Sequence, residues 1–221
     1  MQQLTPFFPP LNGFLPVACA YGKMEKADVP LSNFGVVKLE LPPNGETKDY
    51  DHEIAHFHRG FDEYYVVASG TGYMYLNGVK IAVATGDVTF IPSGLAHHFK
   101  AGPTGATLFV ASDYDESDCQ EISSFEGFAP ICSTGEFVKN IAQVYQLGHA
   151  YQSPKLFCND GIKVFGLSLP AGREVPSHLV PTDAQEMYIA LKGEATLIVG
   201  DEEVLLTPLS VKALEAGVAH R

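Results

Sequence analysis

One fixed distance runs through this sequence. Glu63, Gly70, Gly94 and His97 recur as Glu186, Gly193, Gly217 and His220, each displaced by 123 residues. A displacement shared by four pairs preserves strand lengths and turns as well as residue types, the mark of an internal repeat. Between these markers lie short apolar runs punctuated by Gly, Pro and Asn. FGVVKLEL, YYVVASG, GYMYLNG, VKIAV, VTFI and ATLFVAS read as strands. PPNG, NG, ATGD and PSG supply the turns. Asn77-Gly78 offers the two positive-φ positions of a tight hairpin. The best helical candidate is TGEFVKNIAQVYQLG.

The expected fold is all-β, two sheet-rich repeats forming sandwiches or small barrels in tandem. DYDESDCQEISSFEGFAP interrupts the strands with acid and serine, which sets the division at 1–125 and 126–221. The first repeat continues past His97 through HFKAGPTGATLFVAS, whereas the second stops at Arg221. A missing strand would expose a sheet edge. Residues near 14–22, in GFLPVACAY, are therefore expected to cross over and complete the C-terminal barrel.

Composition narrows the function classes. With 46% hydrophobic and 18% charged residues the chain is an ordinary globular sequence. A formal charge of -12 argues against nucleic acid or an anionic membrane surface as partner. The four cysteines form no CxxC pattern and read as isolated reduced thiols. MQQLTPFFPP lacks the layout of a signal peptide, and no run of 18 uncharged apolar residues occurs, so a cytoplasmic location and no membrane span are expected.

The chemistry gathers in HFHRGFDEYYVVASG, residues 56–70. On an extended strand His56 and His58 share one side and Phe57 takes the other. Glu63 can return to that side after RGFD, and His97 follows the tight PSG element. Three neutral imidazoles and a carboxylate form an N/O set for a borderline divalent metal, with positions left for water or substrate. Buried without a cation, the same groups would forfeit hydrogen bonds and strand a charge.

HFHRGFDEYYVVASG resembles the first signature of the cupin superfamily, and GDVTFIPSGLAH resembles the second, with Gly86, Pro92, Gly94 and His97 at the family spacing. The resemblance covers the core of both repeats and implies a bicupin, two jelly-roll β-barrels in tandem. It also implies His56, His58, Glu63 and His97 as metal ligands. The ten residues between Gly45 and His56 exceed the usual family spacing and read as a loop at the barrel mouth, which makes His52 a competing ligand. His98 is expected at the surface.

Alternation sends Tyr65 and Val67 to the interior with Glu63, and Tyr64 and Val66 to the other layer. Tyr73, Tyr75, Phe90 and Phe99 would add aromatic walls suited to a small organic, aromatic or carboxylated, substrate. Glu63 is the expected proton acceptor, Tyr65 a pocket residue, and Arg59 a partner for a substrate carboxylate or phosphate. By analogy with bicupins the expected activity is that of a non-heme Fe(II) dioxygenase in a homodimer. The alternatives are a Zn-, Mn- or Ni-dependent isomerase, lyase or hydrolase, or a non-catalytic small-molecule binder. In the second repeat His178, Glu186 and His220 remain, but Val180 stands where a second histidine is wanted. Leu209 and Glu215 replace Gly86 and Pro92, so the turn before His220 is expected to be built differently, in a mainly structural barrel.

Overall fold

The computed structural model describes residues 14–17, 23–27, 35–47, 55–112, 119–141, 155–158 and 162–221. His52 lies outside the described residues. The first sheet contains β1 (Phe14–Val17), β2 (Lys23–Ala27), β3 (Gly35–Leu41), β4 (Ala55–His58) and β5 (Glu63–Leu76). It continues with β6 (Val79–Ala84), β7 (Asp87–Ile91), β8 (His97–Ser112), β9 (Cys119–Ile122) and β10 (Val138–Asn140). The second repeat adds β11 (Lys155–Cys158), β12 (Lys163–Phe165), β13 (His178–Leu179) and β14 (Glu186–Ile189). It closes with β15 (Ala195–Val199), β16 (Glu202–Leu206), β17 (Val211–Leu214) and β18 (Ala219–His220). The protein is essentially all-β, with two sheet units. Among the described residues no helix is long and apolar enough to cross a membrane.

Two long strands organise the first unit. The first half of β5 pairs with β7 and with the end of β8, and its second half pairs with β6 and the start of β8. The register shifts between Val67 and Ser69 and again between Gly70 and Gly72. Such bulges bend a strand and change which residues face inward. Tyr65 and Val67 lie in the inner core with Leu39, Phe99 and Leu108, yet beyond the bulges Met74 and Leu76 join that core. Inward parity has switched from odd to even. Tyr73 and Tyr75 therefore do not face the inner core: Tyr73 is exposed beneath Lys80, 3.8 Å from its ring centre, and Tyr75 stacks on His98. His98 is consequently buried, against the surface expectation.

The opposite face of β5 presents Tyr64, Val66 and Ala68 to a second core shared with Leu156, Phe157 and Val211. This interface buries both faces of the YYVVA run. Phe90 packs in the same layer, away from the inner core. A third cluster, with Val180, Leu197, Val199 and Leu214, fills the C-terminal unit.

Asn77 (φ 46°) and Gly78 (φ 82°) form the expected two-residue hairpin between β5 and β6. Two other expectations give way to pairing. Val138–Asn140, inside the proposed helix, is a strand on the edge of β7, and Asn140 Nδ2 donates to Asp87 Oδ1 at 2.6 Å. An open ladder beside it outcompetes local helix propensity, and the first sheet thus extends beyond residue 125. Phe14–Val17 does not cross over to the C-terminal sheets; it pairs with β2, which pairs with β3. These strands pair within the first unit, and residues 18–22 lie outside the described residues.

Candidate metal centre

His56 and His58 leave β4 on one side, and His56 lies directly opposite His97 on β8. Glu63 opens β5. Local bonds hold these starts together. Gly94 N–H, in the PSG turn, donates to His58 O at 2.6 Å, and Ser93 N–H donates to Asp62 Oδ1 at 2.9 Å. Ala96 N–H donates to Asn77 Oδ1 at 2.9 Å, which ties the hairpin turn to the residue before His97.

One donor atom from each of His56, His58, Glu63 and His97 lies within 4.8 Å of the others, an arrangement that could hold a metal ion. His58, Glu63 and His97 are buried. Glu63 Oε2 is 2.9 Å from His97 Nε2 and 3.4 Å from His58 Nε2, but the alignment of a hydrogen bond is missing: these three atoms have no hydrogen-bond partner. Adjacent donors around an octahedral ion with bonds near 2.1 Å stand about 3.0 Å apart, which the two separations bracket. Lone pairs directed at one another fit a shared cation. His97 Nδ1–H donates to Leu95 O at 2.9 Å, which fixes the tautomer and leaves Nε2 free to coordinate.

Electrostatics agree with that role. Burial pushes the Glu63 carboxyl up, but the His58 and His97 imidazoles outweigh it and hold the group well below the usual carboxylate range. Burial, reinforced by His97, lowers His56 from 6.5 to about 3, so it stays neutral. This has a thermodynamic consequence. Below about pH 6.5 the unfolded chain takes up a proton on His56 that the native state refuses until about pH 3. Native stability is thus expected to fall as pH drops through that window, by about 1.4 kcal/mol per unit from this residue. Denaturant titration of chelator-treated protein at pH 6.5 and 5 checks it; a flat profile would contradict a neutral His56.

Phe61 stacks on the His58 ring at 4.4 Å and Tyr65 stands edge-on to His97 at 5.8 Å, so aromatic rings pack against two of the imidazoles. Arg59 is not brought to it. Its guanidinium lies over Phe57, 5.7 Å from the ring centre, and its side chain is exposed. Strand alternation accounts for this, because Phe57 points away from the two histidines. A cleft of about 360 Å³ between Tyr64, Phe90, Lys139 and Phe157 contains none of the four candidate ligands.

A second cluster joins His178, Glu186 and His220. His178 lies opposite His220 as His56 lies opposite His97. Val180 takes the place of His58: Gly217 N–H donates to Val180 O as Gly94 N–H does to His58 O. The turn before His220 is therefore not built differently. Val218 N–H bonds Glu215 O as Leu95 N–H bonds Pro92 O, and Leu209 adopts φ 71° where Gly86 has 91°. The backbone keeps the turn without the glycine and proline that signalled it. The sequence reading missed Tyr188, whose hydroxyl lies 2.9 Å from His220 Nε2; its signal was the 123-residue displacement from Tyr65. Burial, with Glu186 beside it, raises the Tyr188 hydroxyl and keeps it protonated.

Fold and site together define an essentially all-β protein with two separate His/Glu clusters among the described residues. Residues 37–111 match the family model of the cupin domain. An uncharacterized protein of Aquifex aeolicus (strain VF5) is 38% identical over 68 residues, covering 30% of this chain and 56% of that relative, so the match spans about half of the relative's length. The cupin 2 conserved barrel domain protein from Leptotrichia buccalis aligns over 92% of this chain and 83% of its own, at 17% identity and a TM-score of 0.62. Bacillus subtilis oxalate decarboxylase, in a structure concerned with its Mn(II) centers, aligns over 95% of this chain and 71% of its own, at 14% identity and a TM-score of 0.60. At such identities the structural likeness concerns the fold.

Proposed function

We propose that the N-terminal cluster holds a divalent metal through His56, His58, Glu63 and His97, and that the protein is a metal-dependent lyase acting on a small carboxylic acid. The observation that carries this reading is the convergence of buried donors without hydrogen-bond partners. Mn(II) is the favoured ion: a set of imidazoles and a carboxylate accommodates it, and the fold is that of a manganese-containing decarboxylase. The same donors suit Fe(II), but nothing in the geometry favours a dioxygenase over a lyase. We place the chemistry in the N-terminal jelly roll and give the C-terminal one a covering role.

An ion held by His56, His58, Glu63 and His97 would supply Lewis-acid chemistry toward a substrate carboxylate. The chain's own groups prepare that site. Glu63 contributes a fixed negative charge, and the Leu95 carbonyl holds His97 in the tautomer whose Nε2 faces inward. Phe61 and Tyr65 pack against the His58 and His97 rings. With three of the four ligands buried, a small acid fits better than an extended aromatic substrate. Decarboxylation of such an acid releases carbon dioxide, and the carbon left behind takes up one proton.

The test is to incubate Mn(II)-loaded protein with oxalate and other short carboxylic acids while recording carbon dioxide release and oxygen uptake together. Carbon dioxide release without net oxygen consumption, lost in Glu63→Gln, is expected. Net oxygen consumption with Fe(II) and aromatic acids or β-diketones would replace the lyase by the dioxygenase reading.

A further inference from the structure

We infer that Tyr188 closes the second cluster to metal by occupying the nitrogen through which His220 would coordinate. His220 Nδ1–H donates to Val218 O at 3.3 Å, so Nε2 carries the lone pair, and the Tyr188 hydroxyl, which also hydrogen-bonds the Glu186 carboxylate, stands against it at 2.9 Å. The equivalent nitrogen of His97 has no hydrogen-bond partner. The two tyrosine rings are placed alike: Tyr65 and Tyr188 each stand 5.8 Å from their histidine at 74°. What differs is the company around them. Val180, buried and apolar, replaces the His58 imidazole, and Glu186 Oε2 lies 3.4 Å from His220 Nε2, against 2.9 Å for Glu63 and His97. His178 is exposed, with Nδ1 bonded to Pro176 O and Nε2 available. Three potential ligands remain, and one has its lone pair engaged. A metal at bonding distance from His220 Nε2 must displace the tyrosine hydroxyl.

This inference rests on the reading that the first cluster holds metal. Titrating chelator-treated full-length protein with Mn(II), and reading free Mn(II) by electron paramagnetic resonance, separates the two. One tight equivalent is expected in the wild type, lost in His58→Ala. Tyr188→Phe is expected to tighten a second equivalent by about tenfold, as removal of one hydrogen bond to the ligating nitrogen allows. Adding His178→Ala to Tyr188→Phe should abolish that gain. Two equally tight equivalents in the wild type, or a second site unmoved by Tyr188→Phe, would overturn the role of Tyr188. A tight site that survives His58→Ala would instead overturn the reading of the first cluster. Should Tyr188→Phe fold poorly, nitrogen NMR of the wild type decides: one equivalent of Zn(II) should leave the His220 imidazole unshifted, and a shift at that point would refute the closure.

Discussion

His58→Ala is expected to weaken metal binding by the N-terminal cluster at least a hundredfold and to abolish the accompanying stabilisation. His58 is buried, its Nε2 has no hydrogen-bond partner, and it stands 3.4 Å from the Glu63 carboxylate. Metal bound at a hundred times its Kd stabilises the native state by about 2.7 kcal/mol, since the unfolded chain offers no formed site. Thermal or denaturant unfolding with and without Mn(II) should show that increment in the wild type and none in the variant. His178→Ala should leave it in place. An equal increment in His58→Ala would move the metal elsewhere. The second repeat already carries a valine at the corresponding position, Val180, which supports the view that the fold survives without the imidazole.

The second large effect is structural. Gly70→Ala is expected to destabilise the protein by about 3 kcal/mol or more, read from urea denaturation. Gly70 has φ 84°, where an L side chain is strained. A Cβ there would lie 2.3 Å from Gly105 O and 3.0 Å from Ala106 Cα, both backbone atoms of the paired strand. Those atoms cannot rotate away as a side-chain end could. Since β5 turns its corner at this point, the clash also threatens the register that carries Glu63. A loss below about 1 kcal/mol would show that β5 and β8 can separate here at little cost. At Gly94, which also has positive φ but no atom within 4 Å of a built Cβ, substitution meets the conformational cost alone.

Much of the candidate site was legible in the residues. His56, His58, Glu63 and His97 were marked by same-side spacing on a strand and by a punctuated turn, and the structure brings all four together. Alternation through YYVVA was legible too, and Tyr65 and Tyr64 enter the two cores it called for. Arg59 shows where residue type misleads: a cation next to two ligands points away because the strand pleat sends it there. Tyr73 and Tyr75 show the limit of extending one period too far, because the bulges between Val67 and Gly72 reverse the parity downstream.

The chain's own order of residues determined the repeat, the all-β character, the Asn-Gly hairpin and the identity of the candidate ligands. These depend on interactions within a strand or a turn, which span a few residues and leave a local pattern. Tertiary structure decided the inward parity of β5 beyond its bulges, the strand at Val138–Asn140, the hairpin at the N-terminus and the bond from Tyr188 to His220. Each of these is set by a partner distant in sequence, whose unpaired backbone edge or lone pair competes with the local preference and wins.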